Sequence, residues 1–273
     1  MSYEQFFGLS RQPFSNAPDS RFYFQSGPHN DALERIMHAA LTMKGLAVMI
    51  GDIGTGKTTL ARKALEKLED DSQYVVSLLV VVHSEITASW LLKRLALQLG
   101  IENPPDKKED ILPKIYERLL EINDSSKKAV MIIDEANMLK TREIFEEFRG
   151  LLNLEIPEKK LLTIVLIGMP ELETNIAIDP PLQQRIAVKF TLKNLEKGAS
   201  IEYIRHRLKV AGAGKEIFTE EALEAVAEYS RGVPRLINTF CDNAMLEAYL
   251  MKKDTVERQV VDNVARDFRI EKG

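Results

Sequence analysis

Residues 51–59 read GDIGTGKTT, and Gly51, Gly56, Lys57 and Thr58 have the spacing of a loop that wraps phosphate. Glycines let successive backbone N–H groups turn inward around anionic oxygens. Asp52, Ile53, Gly54 and Thr55 fill the turn, Lys57 would reach the β and γ phosphates of ATP, and Thr58 would hold Mg²⁺, with Thr59 beside it in the same helical turn. Residues 130–136, VMIIDEA, place Asp134 at the tip of an apolar run, where a carboxylate can join the Mg²⁺ shell. Glu135 follows at once and can orient and polarise an attacking water, so the adjacent acids favour hydrolysis over simple nucleotide holding; the alternative is a pair of helix-capping acids in a strand-to-helix turn.

Two arginines complete the set. Arg185, in LQQRIAVKF, stands just before an apolar segment; facing a neighbouring subunit's nucleotide it would neutralise charge on the transferring phosphoryl group, and otherwise it is a surface arginine. Arg235, in SRGVPRLIN, follows Pro234 at the first turn of a helix and either folds over the γ phosphate or is merely solvated.

These groups need a scaffold that brings strand ends together. Four short runs, residues 46–50, 74–82, 129–134 and 161–168, are continuous in Val, Ile and Leu, as expected of strands buried on both faces, and 186–192 is a candidate fifth. Helical spacing separates them at 57–69, 87–99, 107–122 and 141–154. This alternation predicts an α/β domain over 1–192 around a mostly parallel five-stranded sheet. Beyond 192 strand signals stop and amphipathic helices follow, so residues 193–273 form a small all-α domain.

Composition narrows the function. The net charge of −4 gives no global pull toward nucleic acid or an anionic membrane. Cys241 is the only cysteine, which excludes a disulfide framework and a multi-cysteine zinc site and reads as a small buried hydrophobe in a reducing compartment. No basic leader precedes an apolar run and no run approaches the length of a membrane span, so the expected location is cytoplasmic. His29, His38, His83 and His206 lack metal-ligand spacing and read as surface or internally satisfied histidines. The basic run RHRLK, 205–209, reads as a solvated helix face with a modest pull on DNA. Seven of the 19 aromatic side chains fall within the first 24 residues, in a segment that favours no regular element.

In the order phosphate loop, IIDEA, LLTIVLIGMPEL, LQQRI and GVPRLIN, the chain resembles the AAA+ ATPases, and within them the branch of general secretion pathway protein A and the MSHA pilus biogenesis ATPases. The resemblance extends through the FFGL…PFSNAPDSRFYF…H opening and YIRHRLKVAG. It implies a P-loop AAA+ domain with a helical lid and an ATPase that assembles into a ring or filament when ATP-bound. It further implies work on a cell-envelope machine for secretion, pilus or polysaccharide export, with a protein partner left open. The chain would lie at the inner face of the membrane through a partner or a further C-terminal region. More distant relatives are transposition regulators, so a DNA-associated regulator and a nucleotide-held scaffold with little hydrolysis stay open, nucleic acid being the less favoured partner. The resemblance also implies that the aromatic opening covers the adenine and anchors the chain to both domains, and that Arg185 is an arginine finger. One departure is Met169 in the GMPEL turn, where relatives carry a polar residue that senses the γ phosphate. A thioether is a weak acceptor and no donor, so either another group senses phosphate or hydrolysis is slow.

Overall fold

The computed structural model describes residues 2–270. Strands β1 (Leu46–Gly51), β2 (Tyr74–Val80) and β3 (Lys128–Asp134) precede a two-residue-per-strand hairpin, β4 (Glu155–Ile156) with β5 (Lys159–Lys160). β6 (Leu162–Gly168) and β7 (Ile186–Leu192) follow. The main sheet has the order β2-β3-β6-β1-β7, and every pairing in it is parallel.

Position in this order explains the burial of each strand. β1 and β6 are buried along their whole length and β3 beyond its first residue, because helices cover both faces of a parallel sheet. β2 has the same composition but lies at an edge and is largely half-buried, contrary to the expectation of burial on both faces. It also stops at Val80, two residues short of the apolar run, and Val82 is exposed. β7, at the other edge, alternates between half-buried and exposed positions with the period of a strand wetted on one side.

By internal contacts the chain forms two compact units. One comprises Asn30–Ile53 and Leu60–Leu192; the other comprises the described residues up to His29, the loop Gly54–Thr59, and the described residues from Lys193 on. In the sheet unit, helices Ala88–Gln98, Lys108–Asp124 and Arg142–Leu152 bury Leu91, Leu95, Ile115, Leu119, Phe145 and Phe148 against sheet residues such as Val48, Met131 and Ile164. Each such side chain contributes roughly 1.5–3 kcal/mol on burial, which fixes the strands that carry the site.

The second unit contains helices Lys197–Val210, Glu220–Ser230, Pro234–Leu250 and Arg258–Asp267. The aromatic opening belongs to this core. Phe7, Phe14 and Phe22 are buried with Ile204, Ile237 and Phe240; Phe14 meets Phe218 edge-on, and Phe24 meets Tyr203 likewise. The opening is not wholly irregular either, since Tyr3–Phe6 is one helical turn closed by a Ser2/Gln5 capping box. Arg207 corrects the reading of RHRLK as a solvated face. It is only 6% exposed, with Nε donating to Pro13 O at 2.5 Å, Nη2 to Ser15 O at 3.1 Å and Nη1 to Tyr203 Oη at 2.7 Å. Arg205, two residues earlier, ion-pairs with Glu202 and Glu220 on the surface. Cys241 is fully buried, and burial pushes its thiol pKa up, which makes it inert packing.

Among the described residues, no helix is long and apolar enough to cross a membrane.

Candidate functional site

Gly51 closes β1, and Lys57 opens the helix Lys57–Glu69, so the loop between them joins a strand end to a helix start. Gly54 and Gly56 take φ of 81° and 99°, the left-handed region where a side chain is strained. Both are also sterically closed. A Cβ at Gly54 would lie 2.9 Å from Arg235 Cβ, and one at Gly56 would lie 2.9 Å from His29 Nε2. Thr55 and Lys57 are buried, Thr58 and Thr59 are half-buried in the first turn of the helix, and Asp52 and Ile53 are exposed.

Asp134 ends β3 and is fully buried. The strand register places it beside the loop's starting point: Ile50 is level with Gly168, and Ile133 with Leu166. Gly51 and Asp134 therefore leave the sheet at the same end, separated by β6 and staggered by two residues, about 12 Å apart at ordinary strand spacing and rise. Asp134 Oδ1 accepts the Glu135 N–H at 2.9 Å, whereas Oδ2 has no hydrogen-bond partner among the described residues. A buried, unpartnered carboxylate oxygen costs about 1–3 kcal/mol or more, and a hard divalent cation such as Mg²⁺, which takes oxygen ligands, fits that oxygen. Glu135 adopts φ 55° and ψ 33°, a left-handed turn unusual for a side-chain-bearing residue. It starts the turn Ala136–Met138 without a side-chain capping bond, so its carboxylate is not used as a helix cap.

The residues behind these acids are also fixed. Asn137, which motif reading passes over, is buried, and its Oδ1 accepts the Met169 N–H at 3.0 Å. That contact orients the amide, whose NH₂ group makes no hydrogen bond among the described residues. Asn175 Nδ2 donates to Asn137 O at 2.9 Å, and a Cβ at Gly168 would come within 2.9 Å of Asn137 Oδ1. An amide donor thus stands beside the Met169 position that lacks one.

Arg185 lies between the turn Pro180–Gln183 and β7, half-buried, with Nη1 donating to Asn153 Oδ1 at 2.5 Å and no ion pair among the described residues. Arg235 is in the first turn of Pro234–Leu250 and meets the loop directly: its backbone N–H donates to Gly54 O at 3.2 Å. Its guanidinium makes no hydrogen bond or ion pair among the described residues and is exposed. Gly232, just before this helix, has φ 71°, and a Cβ there would sit 1.8 Å from Leu195 O. His29 is satisfied, as expected, but by the loop itself: Nε2 lies 2.9 Å from Thr55 O, and Nδ1 lies 2.7 Å from Ser26 Oγ.

Residues 41–176 match the family model described as AAA domain. The chain is 35% identical over 250 residues, 90% of its length, to general secretion pathway protein A of Aeromonas hydrophila, covering 45% of that protein. The chain belongs to the AAA+ ATPases, in the branch of general secretion pathway protein A. It is also 29% identical over 161 residues, 56% of its length and 38% of the relative's, to an uncharacterised HTH-type transcriptional regulator of Methanocaldococcus jannaschii. It spans less than half the length of either relative. Among solved structures, the Aeropyrum pernix ORC2 protein in its ADPNP-ADP complexes superposes with a TM-score of 0.68 at 15% identity, covering 92% of this chain and 70% of that one. A likeness at that identity establishes the shared fold, an α/β P-loop domain with a helical C-terminal part.

Proposed function

We propose that this AAA+ protein binds ATP with Mg²⁺, hydrolyses it, and uses the cycle to assemble or remodel a cell-envelope machine of the secretion, pilus or polysaccharide-export kind. The unpartnered Asp134 oxygen beside an uncapped Glu135, at the end of the sheet from which the phosphate loop leaves, carries the hydrolytic part of this reading. The relationship to general secretion pathway protein A supports the envelope part.

In this reading the N–H groups of residues 51–59 bind the phosphates, and Lys57 balances charge on the β and γ groups. Thr58 and Asp134 would hold Mg²⁺, which when bound would supply positive charge against the phosphate oxygens. Glu135 orients a water and takes its proton. Arg235, exposed and with no guanidinium partner among the described residues, would reach the γ phosphate from the helical part of the chain, which acts as a lid on the nucleotide. Asn137 supplies the amide donor missing at Met169. Arg185 completes the site of a second copy of the chain in a ring or filament, on the cytoplasmic side of the membrane.

A DNA-associated regulator is the second reading, favoured by the M. jannaschii relative's description as a transcriptional regulator. Steady-state ATP turnover with and without duplex DNA separates the two. Turnover that DNA leaves unchanged is expected; strong stimulation supports the regulator, and tight ATP binding without turnover reduces the protein to a nucleotide-held scaffold. The trans role of Arg185 has its own test. Arg185→Ala and Glu135→Gln subunits should each be inactive alone and regain partial turnover when co-assembled, because some interfaces then join an intact Glu135 to an intact Arg185. Normal turnover by Arg185→Ala, or no recovery in verified mixed assemblies, rules that role out.

A further inference from the structure

The same loop carries a second kind of information: what holds it from outside. Two successive carbonyls of the loop are occupied. Gly54 O accepts the Arg235 N–H at 3.2 Å, and Thr55 O lies 2.9 Å from His29 Nε2. A carbonyl has no proton to give, so Nε2 carries the hydrogen and donates it. Nδ1 of the neutral ring is then the acceptor for the Ser26 hydroxyl at 2.7 Å. The ring is buried, and burial pulls its pKa below the usual 6.5, which keeps it neutral and in this tautomer.

Peptide geometry converts these outer bonds into an inner arrangement. In a trans peptide the C=O of one residue and the N–H of the next point in opposite directions. Holding Gly54 O toward Arg235 therefore turns the Thr55 N–H to the other side, and holding Thr55 O toward His29 turns the Gly56 N–H to the other side. Glycine makes this control necessary. Gly54 and Gly56, at φ 81° and 99°, permit the loop's curvature, but glycine's conformational freedom also lets the adjoining peptides rotate away. The His29 ring packs against the back of Gly56, where no Cβ would fit.

We propose that His29 is a positioning residue for nucleotide binding: its Nε2–H holds the Thr55 carbonyl outward so that the Gly56 N–H faces the phosphate, and Ser26 sets the ring that does so. The inference rests on reading residues 51–59 as the ATP cradle. His29 does not touch the nucleotide, so it acts on affinity through the loop and leaves the chemical step to other groups.

The test compares ATP and ADP affinity by calorimetry, and KM and kcat, for the full chain and for His29→Leu, His29→Gln, Ser26→Ala and Lys57→Ala. Leucine keeps bulk without a donor, whereas glutamine's side-chain amide can donate from nearly the same place. His29→Leu should bind ATP and ADP about tenfold more weakly, the loss expected when one oriented amide hydrogen bond to an anion is forfeited. KM should rise with it while kcat stays within about threefold, and His29→Gln should recover most of the affinity. Ser26→Ala, which keeps the ring but frees its far side, should lose about threefold and serves in place of His29→Leu if that variant does not fold. Wild-type affinity in both His29→Leu and Ser26→Ala overturns the proposal, as does a glutamine variant no better than leucine at equal melting temperature. Lys57→Ala separates the two levels. If it binds ATP normally, the cradle reading itself fails; if it loses ATP while His29→Leu does not, only the role of His29 is wrong.

Discussion

Arg207→Met tests how the aromatic opening is attached to the helical unit. Methionine retains the apolar stem and deletes the guanidinium. The loss covers the donors to Pro13 O at 2.5 Å, Ser15 O at 3.1 Å and Tyr203 Oη at 2.7 Å, together with the guanidinium's stacking 4.6 Å over the Phe22 ring. Tyr203 passes the order on, since its hydroxyl donates to Asn238 Oδ1 at 3.0 Å, and Asn238 Nδ2 donates to Asn16 Oδ1 at 3.1 Å. Hydrogen bonds from a charged donor are worth about 1.5–3 kcal/mol each, and the cation–π contact adds roughly 0.5–2. Against this, burying a guanidinium that pairs with no carboxylate among the described residues carries a desolvation cost that methionine removes. The net expectation is a destabilisation of about 2–4 kcal/mol, a large share of the roughly 5–15 kcal/mol that holds a protein folded. Arg207→Lys should lose nearly as much, because one ammonium cannot reach Pro13, Ser15 and Tyr203 together. Urea unfolding followed by far-ultraviolet circular dichroism gives the stability. Hydrogen exchange at the Ser10 amide, which donates to Ala211 O at 2.9 Å, reports whether the opening has come loose. Stability within about 0.5 kcal/mol of wild type, the range of an ordinary surface substitution, would refute the reasoning.

Three further outcomes are expected. Glu135→Gln preserves shape but removes the base, so it should bind ATP normally and hydrolyse it at least ~10²-fold more slowly; wild-type turnover would remove Glu135 from the mechanism. Gly232→Ala must displace the Leu195 carbonyl, 1.8 Å from the new Cβ, and at φ 71° it also strains the backbone, so a melting temperature lowered by several degrees is expected and an unchanged one would contradict the geometry. The pKa of His29 is depressed in the fold by burial, so the unfolded chain takes up its proton first as pH falls; the stability from the neutral ring is complete above about 6.5 and is lost as pH drops toward the lower folded value. Melting curves between pH 7.5 and 5.5 should therefore fall less steeply for His29→Gln than for wild type, and parallel curves would count against the buried neutral ring.

Which of these residues could be read from the sequence depends on what lies opposite each one. The phosphate loop is legible because its spacing encodes a backbone conformation, with glycine at two left-handed positions and lysine at the helix start. β1, β3 and β6 are legible because burial on both faces leaves continuous apolar runs. β2 carries the same kind of run and yet lies at an edge, since sheet order is set by pairings between distant segments that leave no mark in the strand itself. The residues whose contacts escaped the sequence reading share a different property. His29 bonds the Thr55 carbonyl, Arg207 bonds the carbonyls of Pro13 and Ser15, and Asn137 bonds the Met169 N–H. In each case one partner is main chain, a carbonyl that every residue type presents or an N–H that all but proline present, so the partner's identity carries almost no record of the contact. A charged pair or a ligand cluster constrains both positions and can be recognised as a pattern, but a side chain bonded to backbone constrains only itself. For that reason Met169 suggested a missing donor from sequence, while the neighbouring amide of Asn137 became visible only once the ends of β3 and β6 were placed side by side.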